Sequence, residues 1–201
     1  MINNIEHIKP LLNFTTEGDF YMLYIFKRKK DQTTDKARHQ SVRTIKTYCI
    51  DSVEYLEKRM DEVIQLCEMF KARAYIHIQK QNHKDVAMNM ITEIVNRIQS
   101  GQTNQQHVFD SVVGQLKTNE KRWIIDIDDK DTNELVKITE LIHSVRPEGD
   151  KLEAVIPTKS GYHLITKRFD VMEFKKQYPN IDIQKKNPTL LYYPNILDNE
   201  N

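Results

Sequence analysis

The chain has 201 residues, with 30 Lys and Arg against 29 Asp and Glu and a net charge of +1. That length allows one full domain or two small ones and excludes a large multidomain enzyme, and the balanced charge excludes a whole-chain field that would draw in a polyanion. Two cysteines, Cys49 and Cys67, cannot supply a zinc-ligand set; with no signal peptide and no apolar run of about 18 residues, the sequence predicts a cytoplasmic protein without membrane contact.

The first strand is expected at Phe20-Tyr-Met-Leu-Tyr-Ile-Phe26. A basic run follows, in which eight Lys or Arg residues between Lys27 and Lys46 face only Asp31 and Asp35, and its polarity predicts a loop. Asp51-Ser-Val-Glu54 has capping-box spacing ahead of Val53, Leu56, Met60, Ile64, Cys67 and Phe70, a long amphipathic helix. Arg73-Ala-Tyr-Ile-His-Ile78 reads as a strand, and Val86, Met90, Ile94 and Ile98 mark a helix that stops near Gly101. Residues 100–107 form a polar break before a short helix over Val108 to Leu116.

The second half is predicted as a strand at Trp123-Ile-Ile-Asp-Ile127, then a helix capped at Asp131 and ended by Pro147. Ala154-Val-Ile156 and Tyr162-His-Leu-Ile165 are expected to form a hairpin about Pro157-Thr-Lys-Ser-Gly161. A short helix near Val171 to Lys176 and apolar segments at Ile181-Asp-Ile183 and Leu190-Leu-Tyr-Tyr193 complete the chain. The pattern divides into an N-terminal α/β unit, residues 1–72, with the basic loop and long helix, and a core, residues 73–201; its βα, βα, strand order predicts an α+β fold with a mixed sheet.

Three segments carry candidate chemistry. Asp126 and Asp128 end a hydrophobic strand, where a side-chain period of two sends both carboxylates to one face with Cα atoms about 6.5–7 Å apart, close enough to converge on divalent ions. The plainer alternative is a solvated turn ahead of the helix at Asp131; a calcium loop of the EF-hand type lacks its glycine and its final glutamate. Thr158-Lys-Ser-Gly-Tyr-His163 gathers Lys159, Ser160 and His163 as donors to phosphate oxygens, with Gly161 admitting close backbone approach. Read blandly, it is a common turn. Asp182, between two isoleucines and followed by Lys185 and Lys186, needs a metal, a lysine or water as its partner.

Taken together, Trp123-Ile-Ile-Asp-Ile-Asp128, Lys159-Ser-Gly-Tyr-His-Leu164 and Ile181-Asp182 resemble, in order and strand context, the motifs of the archaeo-eukaryotic primase superfamily, which includes primase-polymerases. The resemblance implies an RRM-like sheet with flanking helices, preceded by an N-terminal α/β unit. It implies that Asp126, Asp128 and Asp182 bind Mg²⁺ or Mn²⁺ as the catalytic set. Lys159, Ser160, Gly161, His163 and Lys185 are then expected at the nucleoside triphosphate. A small stand-alone member of this kind would suit a phage or mobile element, with a replication helicase or single-strand-binding protein as partner.

Lys27, Arg28, Lys29, Lys30, Arg38 and Arg43 are expected to hold the phosphates of a single-stranded template or primer, with Tyr21, Tyr24 and Phe26 available for stacking. Two other classes compete. A non-catalytic RRM-like single-strand binder would stack bases on strand aromatics such as Tyr75 and need no metal. A haloacid-dehalogenase-like phosphatase would use the Asp126–Asp128 pair as nucleophile and acid/base, although Asp129 and Lys130 lack the residues usual in that pattern.

Overall fold

The computed structural model describes residues 1–28, 42–102, 104–115 and 121–195. The fold is α+β, built from two sheets. In chain order the first part supplies β1 (Ile2–Asn3), the single-turn helix α1 (Ile5–Ile8), β2 (Asp19–Arg28), β3 (Val42–Ile50), α2 (Val53–Phe70), β4 (Arg73–Ile76) and β5 (Gln81–Asn82). Helices α3 (His83–Gln99) and α4 (Val108–Gln115) follow. The second part is β6 (Trp123–Ile127), α5 (Thr132–Ser144), β7 (Leu152–Pro157), β8 (Tyr162–Thr166), α6 (Val171–Gln177) and β9 (Asp182–Gln184), and the chain returns to the first sheet as β10 (Thr189–Tyr193).

The first sheet runs β1-β10-β4-β2-β3, with β5 adding to the start of β2, and the second runs β7-β8-β6-β9. Every neighbouring pair is antiparallel, which corrects the expected mixed sheet. The βα order does produce parallel strands, but each helical crossover skips one position. α5 carries the chain from β6 to β7 with β8 seated between them, and α6 carries it from β8 to β9 with β6 between them. The division expected at residues 72/73 falls inside the first sheet, where β4 and β10 lie side by side next to β2.

Local expectations held in most places and failed in instructive ones. Val42–Ile50, expected within a polar loop up to Lys46, is a full strand; its charged residues sit on an edge strand whose first half is exposed on both faces. α2 is capped by Ser52, whose side chain accepts from the Tyr55 amide, rather than by Asp51, and its buried stripe is Leu56, Met60, Val63 and Cys67, leaving Phe70 outside. α5 is capped by Asp131 as expected. On α3 only Val86 is fully buried, while Ile98 joins Met88, Ile91 and Val95 on an exposed stripe. Among the described residues no helix is long and apolar enough to cross a membrane.

Strand alternation decides what each face carries. On β2, Tyr21, Leu23 and Ile25 pack with α2, whereas Phe20 and Met22 pack under α3 and α4. On β6, Trp123, Ile125 and Ile127 pack against α5 and α6, and Ile124 joins the core of the first sheet together with Ile156 and Ile165. Polar groups fasten the two sheets as well. The buried Asn4 donates to the carbonyls of Pro157 on β7 (2.9 Å) and Leu190 on β10 (3.0 Å). Arg122 pairs with Glu153 and donates to the Leu11 carbonyl at 2.8 Å.

Candidate active site

The same alternation places Asp126 on the β6 face shared with Ile124, toward the first sheet. Its register partners are His163 on β8 and Asp182 on β9, so one carboxylate stands between an imidazole and a second carboxylate on adjacent strands. Like charges opposed across a ladder repel, and here a single side chain offsets the repulsion. Gln184, two positions after Asp182 and on the same face, donates from Nε2 to Asp126 Oδ2 at 3.2 Å and to Asp182 Oδ2 at 2.8 Å.

Between the sheets lies a cleft with two lobes. The polar lobe, about 170 Å³, has Asp126, Asp128 and His163 on one wall, the turn residues Thr158, Lys159 and Ser160 at its end, and Arg28, Arg73 and Tyr193 opposite. The other lobe, about 190 Å³, is lined by Phe26, Tyr75, Gln184, Asn187 and Pro188. Arg28, Tyr75, Asp126 and His163 form the wall common to both. Two cations gather at the Tyr193 ring, Arg73 at 4.7 Å and Lys159 at 5.5 Å from its centroid.

Electrostatics follow from burial. Desolvation raises the Asp126 carboxyl above its ordinary value and Asp128 and Asp182 push it further, while Arg28 and the Gln184 amide act in the opposite sense. Desolvation lowers the His163 imidazole to about 4, so the ring is neutral near pH 7. His163 Nδ1 hydrogen-bonds the buried Thr189 hydroxyl at 2.9 Å, and Nε2 lies 3.5 Å from Asp126 Oδ1. A carboxylate only accepts, so the tautomer that suits both neighbours carries its proton on Nε2 and accepts from Thr189 at Nδ1.

Gly161 explains how the phosphate-suited turn reaches the carboxylates. A Cβ there would overlap the Ile127 carbonyl oxygen and lie 2.6 Å from that of Asp129. The close approach at this glycine is therefore to the backbone that follows Asp126, and it presses the Thr158–Ser160 turn onto the end of β6.

The expected site residues are thus partly assembled. Asp126, Asp128, Lys159, Ser160 and His163 line one lobe. Asp182 adjoins Asp126 but is exposed and does not line the cleft. Lys185, expected at the triphosphate, instead lays its ammonium 5.0 Å from the centre of the Trp123 ring. Of the basic run, Lys29, Lys30 and Arg38 lie outside the described residues. Arg28 leaves the run and enters the cleft, while Lys27 and Arg43 are cross-strand partners at the end of the β2–β3 ladder. Arg73, Gln184 and Thr189 went unread in the sequence as site residues, and Tyr75 was read only as a base-stacking aromatic of the non-catalytic alternative. Arg73 could have been found as a cation at strand spacing from Tyr75, and Gln184 by its offset of two from Asp182.

The carboxylates of Asp126 and Asp128 are hard oxygen donors of the kind Mg²⁺ and Mn²⁺ prefer. Among the described residues no three His, Cys, Asp or Glu side chains form a metal-ligand group on their own. Mg²⁺ is usually held by one or two carboxylates, with water and substrate phosphates completing its shell.

No protein-family model matches the chain, and neither the curated proteins nor the solved structures yield a match.

Proposed function

We propose that the chain is a metal-dependent nucleotidyltransferase of the primase-polymerase type, which joins nucleotides on a single-stranded template. The observation that carries this reading is the meeting, in one cleft, of the Asp126–Asp128 pair, the neutral His163 and the Thr158–Ser160 turn, three segments far apart in sequence. The βαββαβ succession with strand order β7-β8-β6-β9 supports the RRM-like character of the unit that holds the acids.

Phosphoryl transfer asks a protein mainly for position and charge. Asp126 and Asp128, with Asp182 beside them, would hold Mg²⁺ or Mn²⁺, which when bound supplies charge neutralisation at the phosphates and activation of an attacking hydroxyl. Lys159, Ser160 and Thr158 hold the phosphate tail through charge-assisted and hydroxyl hydrogen bonds. Arg28 and Arg73 add fixed positive charge on the opposite wall. His163, neutral and aligned by Thr189, presents an N–H beside Asp126 without adding charge. Lys27 and Arg43 hold template phosphates outside the cleft, and a replication helicase or single-strand-binding protein is the partner such an enzyme would serve.

Template-directed extension with labelled nucleotides and Mg²⁺ or Mn²⁺ tests the proposal. Incorporation is expected in the wild type and lost in both Asp126→Ala and Asp128→Ala; incorporation that survives both substitutions overturns it. Metal-independent binding of single strands with no incorporation would favour the non-catalytic binding module.

A further inference from the structure

The second lobe of the cleft differs in chemistry from the first. Its lining includes two rings stacked face to face, Phe26 on β2 and Tyr75 on β4, with centroids 4.7 Å apart and planes inclined by only 7°, so that a further ring can add only to an outer face of the stack. The pair is fixed by the sheet, since β2 and β4 are hydrogen-bonded neighbours, and it packs with Leu190 and Tyr193 in a small apolar cluster of its own. Both rings and Arg28 line the lobe, and Phe26 is only partly buried.

An outer ring face of this stack beside a space of about 190 Å³ suits a single heteroaromatic ring, which gains by extending the stack whichever base it is. The adjoining lobe offers Lys159, Arg73 and hydroxyls, the donors a phosphate chain requires. One ligand class has both ends, a planar base and a polyphosphate joined by a short linker. We infer that the Phe26–Tyr75 pair is the platform for the base of an incoming nucleoside triphosphate whose phosphates occupy the polar lobe. This assignment rests on the proposed nucleotidyl-transfer reading and adds to it the residues that hold the base. Because the two lobes share the wall of Asp126 and His163, a nucleotide spanning them sets the phosphate nearest its sugar beside those residues.

Calorimetric titration of the intact chain with ATP, inorganic triphosphate and a short single-stranded oligonucleotide, each in Mg²⁺, tests the assignment. The wild type is expected to bind ATP at least about tenfold more tightly than inorganic triphosphate, the difference being the stacked base. Phe26→Leu should erase that preference while leaving inorganic triphosphate binding unchanged, which also shows that the variant is folded. Phe26→Trp, which keeps a flat surface, should retain the preference, and Lys159→Ala should weaken both ligands.

An ATP preference that persists in Phe26→Leu overturns the inference, as does a loss seen only with the oligonucleotide, which would make the pair a template contact. Should Phe26→Leu also lose inorganic triphosphate, the Phe26→Trp result decides: a retained preference supports the platform and a lost one removes it. Primer extension in the same preparations separates the two claims. Extension with no wild-type preference for ATP removes the platform alone, whereas preference without extension removes the polymerase reading and leaves the platform standing.

Discussion

The two sheets are assembled in different ways. The sheet that carries Asp126 comes from one continuous stretch, β6 to β9, in which each strand is followed by the turn or helix that delivers the next. The first sheet draws β10 from the far end of the chain and inserts it between β1 and β4. Local assembly produces a regular unit with its acids on one face. Non-local assembly produces the opposite wall, where Arg28, Arg73, Tyr75 and Tyr193 come from β2, β4 and β10. The acids proposed to act sit on the locally built sheet, and the arginines and rings that face them across the cleft sit on the other.

Substitutions on each side test this division. The largest effect is expected for Asp126→Ala in primer extension, a loss on the order of 100-fold or more, because a carboxylate that supports several kcal/mol of transition-state charge stabilisation is gone. Retained activity would mean that the second sheet is a scaffold only.

Next in size is Gly161→Ala. Its Cβ meets carbonyl oxygens of the backbone after β6, which has no flexible end to yield, so urea unfolding should show a loss of about 3 kcal/mol. A loss near zero would show that the turn is not pressed against Asp126.

The buried imidazoles predict a pH dependence, since burial lowers both His77, on the first sheet's side, and His163, on the second, to about 4. The unfolded chain takes up these protons near the ordinary value of 6.5 and the folded chain only near 4. The stabilising contribution is therefore complete above pH 6.5 and declines as pH falls from there toward 4, by about 2 kcal/mol for each ring at pH 5 and about 3 kcal/mol at pH 4. Asp126, whose carboxyl is raised, works in the opposite sense in the acid range. Unfolding followed at pH 7.5 and 5 should show the decline in the wild type and a shallower one in His163→Gln; equal slopes would remove His163 as its source.

Asn4→Ala removes both amide hydrogen bonds between β7 and β10 and should cost about 1–2 kcal/mol. The smallest expected effect has the opposite sign. Asp126→Asn relieves a desolvated charge that faces two other carboxylates, so it should raise the thermal midpoint slightly, by about 1 kcal/mol of stability in the absence of metal, while extension is lost. A destabilised Asp126→Asn would argue that the carboxylate serves the fold.

Much of the second sheet was legible because its signals are short-range. Alternation on Trp123–Ile127 separates Ile125 and Ile127 from Asp126, Asp131 caps α5, and the Pro157–Gly161 turn sets the β7–β8 pairing. The first sheet was harder. β3 is an edge strand whose start runs on from the basic segment, so Arg43 and Lys46 masked its β-branched residues, and no property of Thr189–Tyr193 announces β4 as its neighbour. Lys185 was legible as a charge, but three positions after Asp182 it lies past the end of β9 and off the face shared by Asp182 and Gln184, where it meets the Trp123 ring.

By itself, then, the sequence determined elements whose stabilising partners lie within a turn or a few residues, such as the Asp131 cap of α5 and the β7–β8 hairpin. Tertiary structure decided what stands across from Asp126 and Asp128. The alignment of His163 by Thr189, the bridging of Asp126 and Asp182 by Gln184, and the arrival of Arg28, Arg73 and the Phe26–Tyr75 pair all depend on strand neighbours far apart in the chain, a choice made by burying the largest common apolar surface.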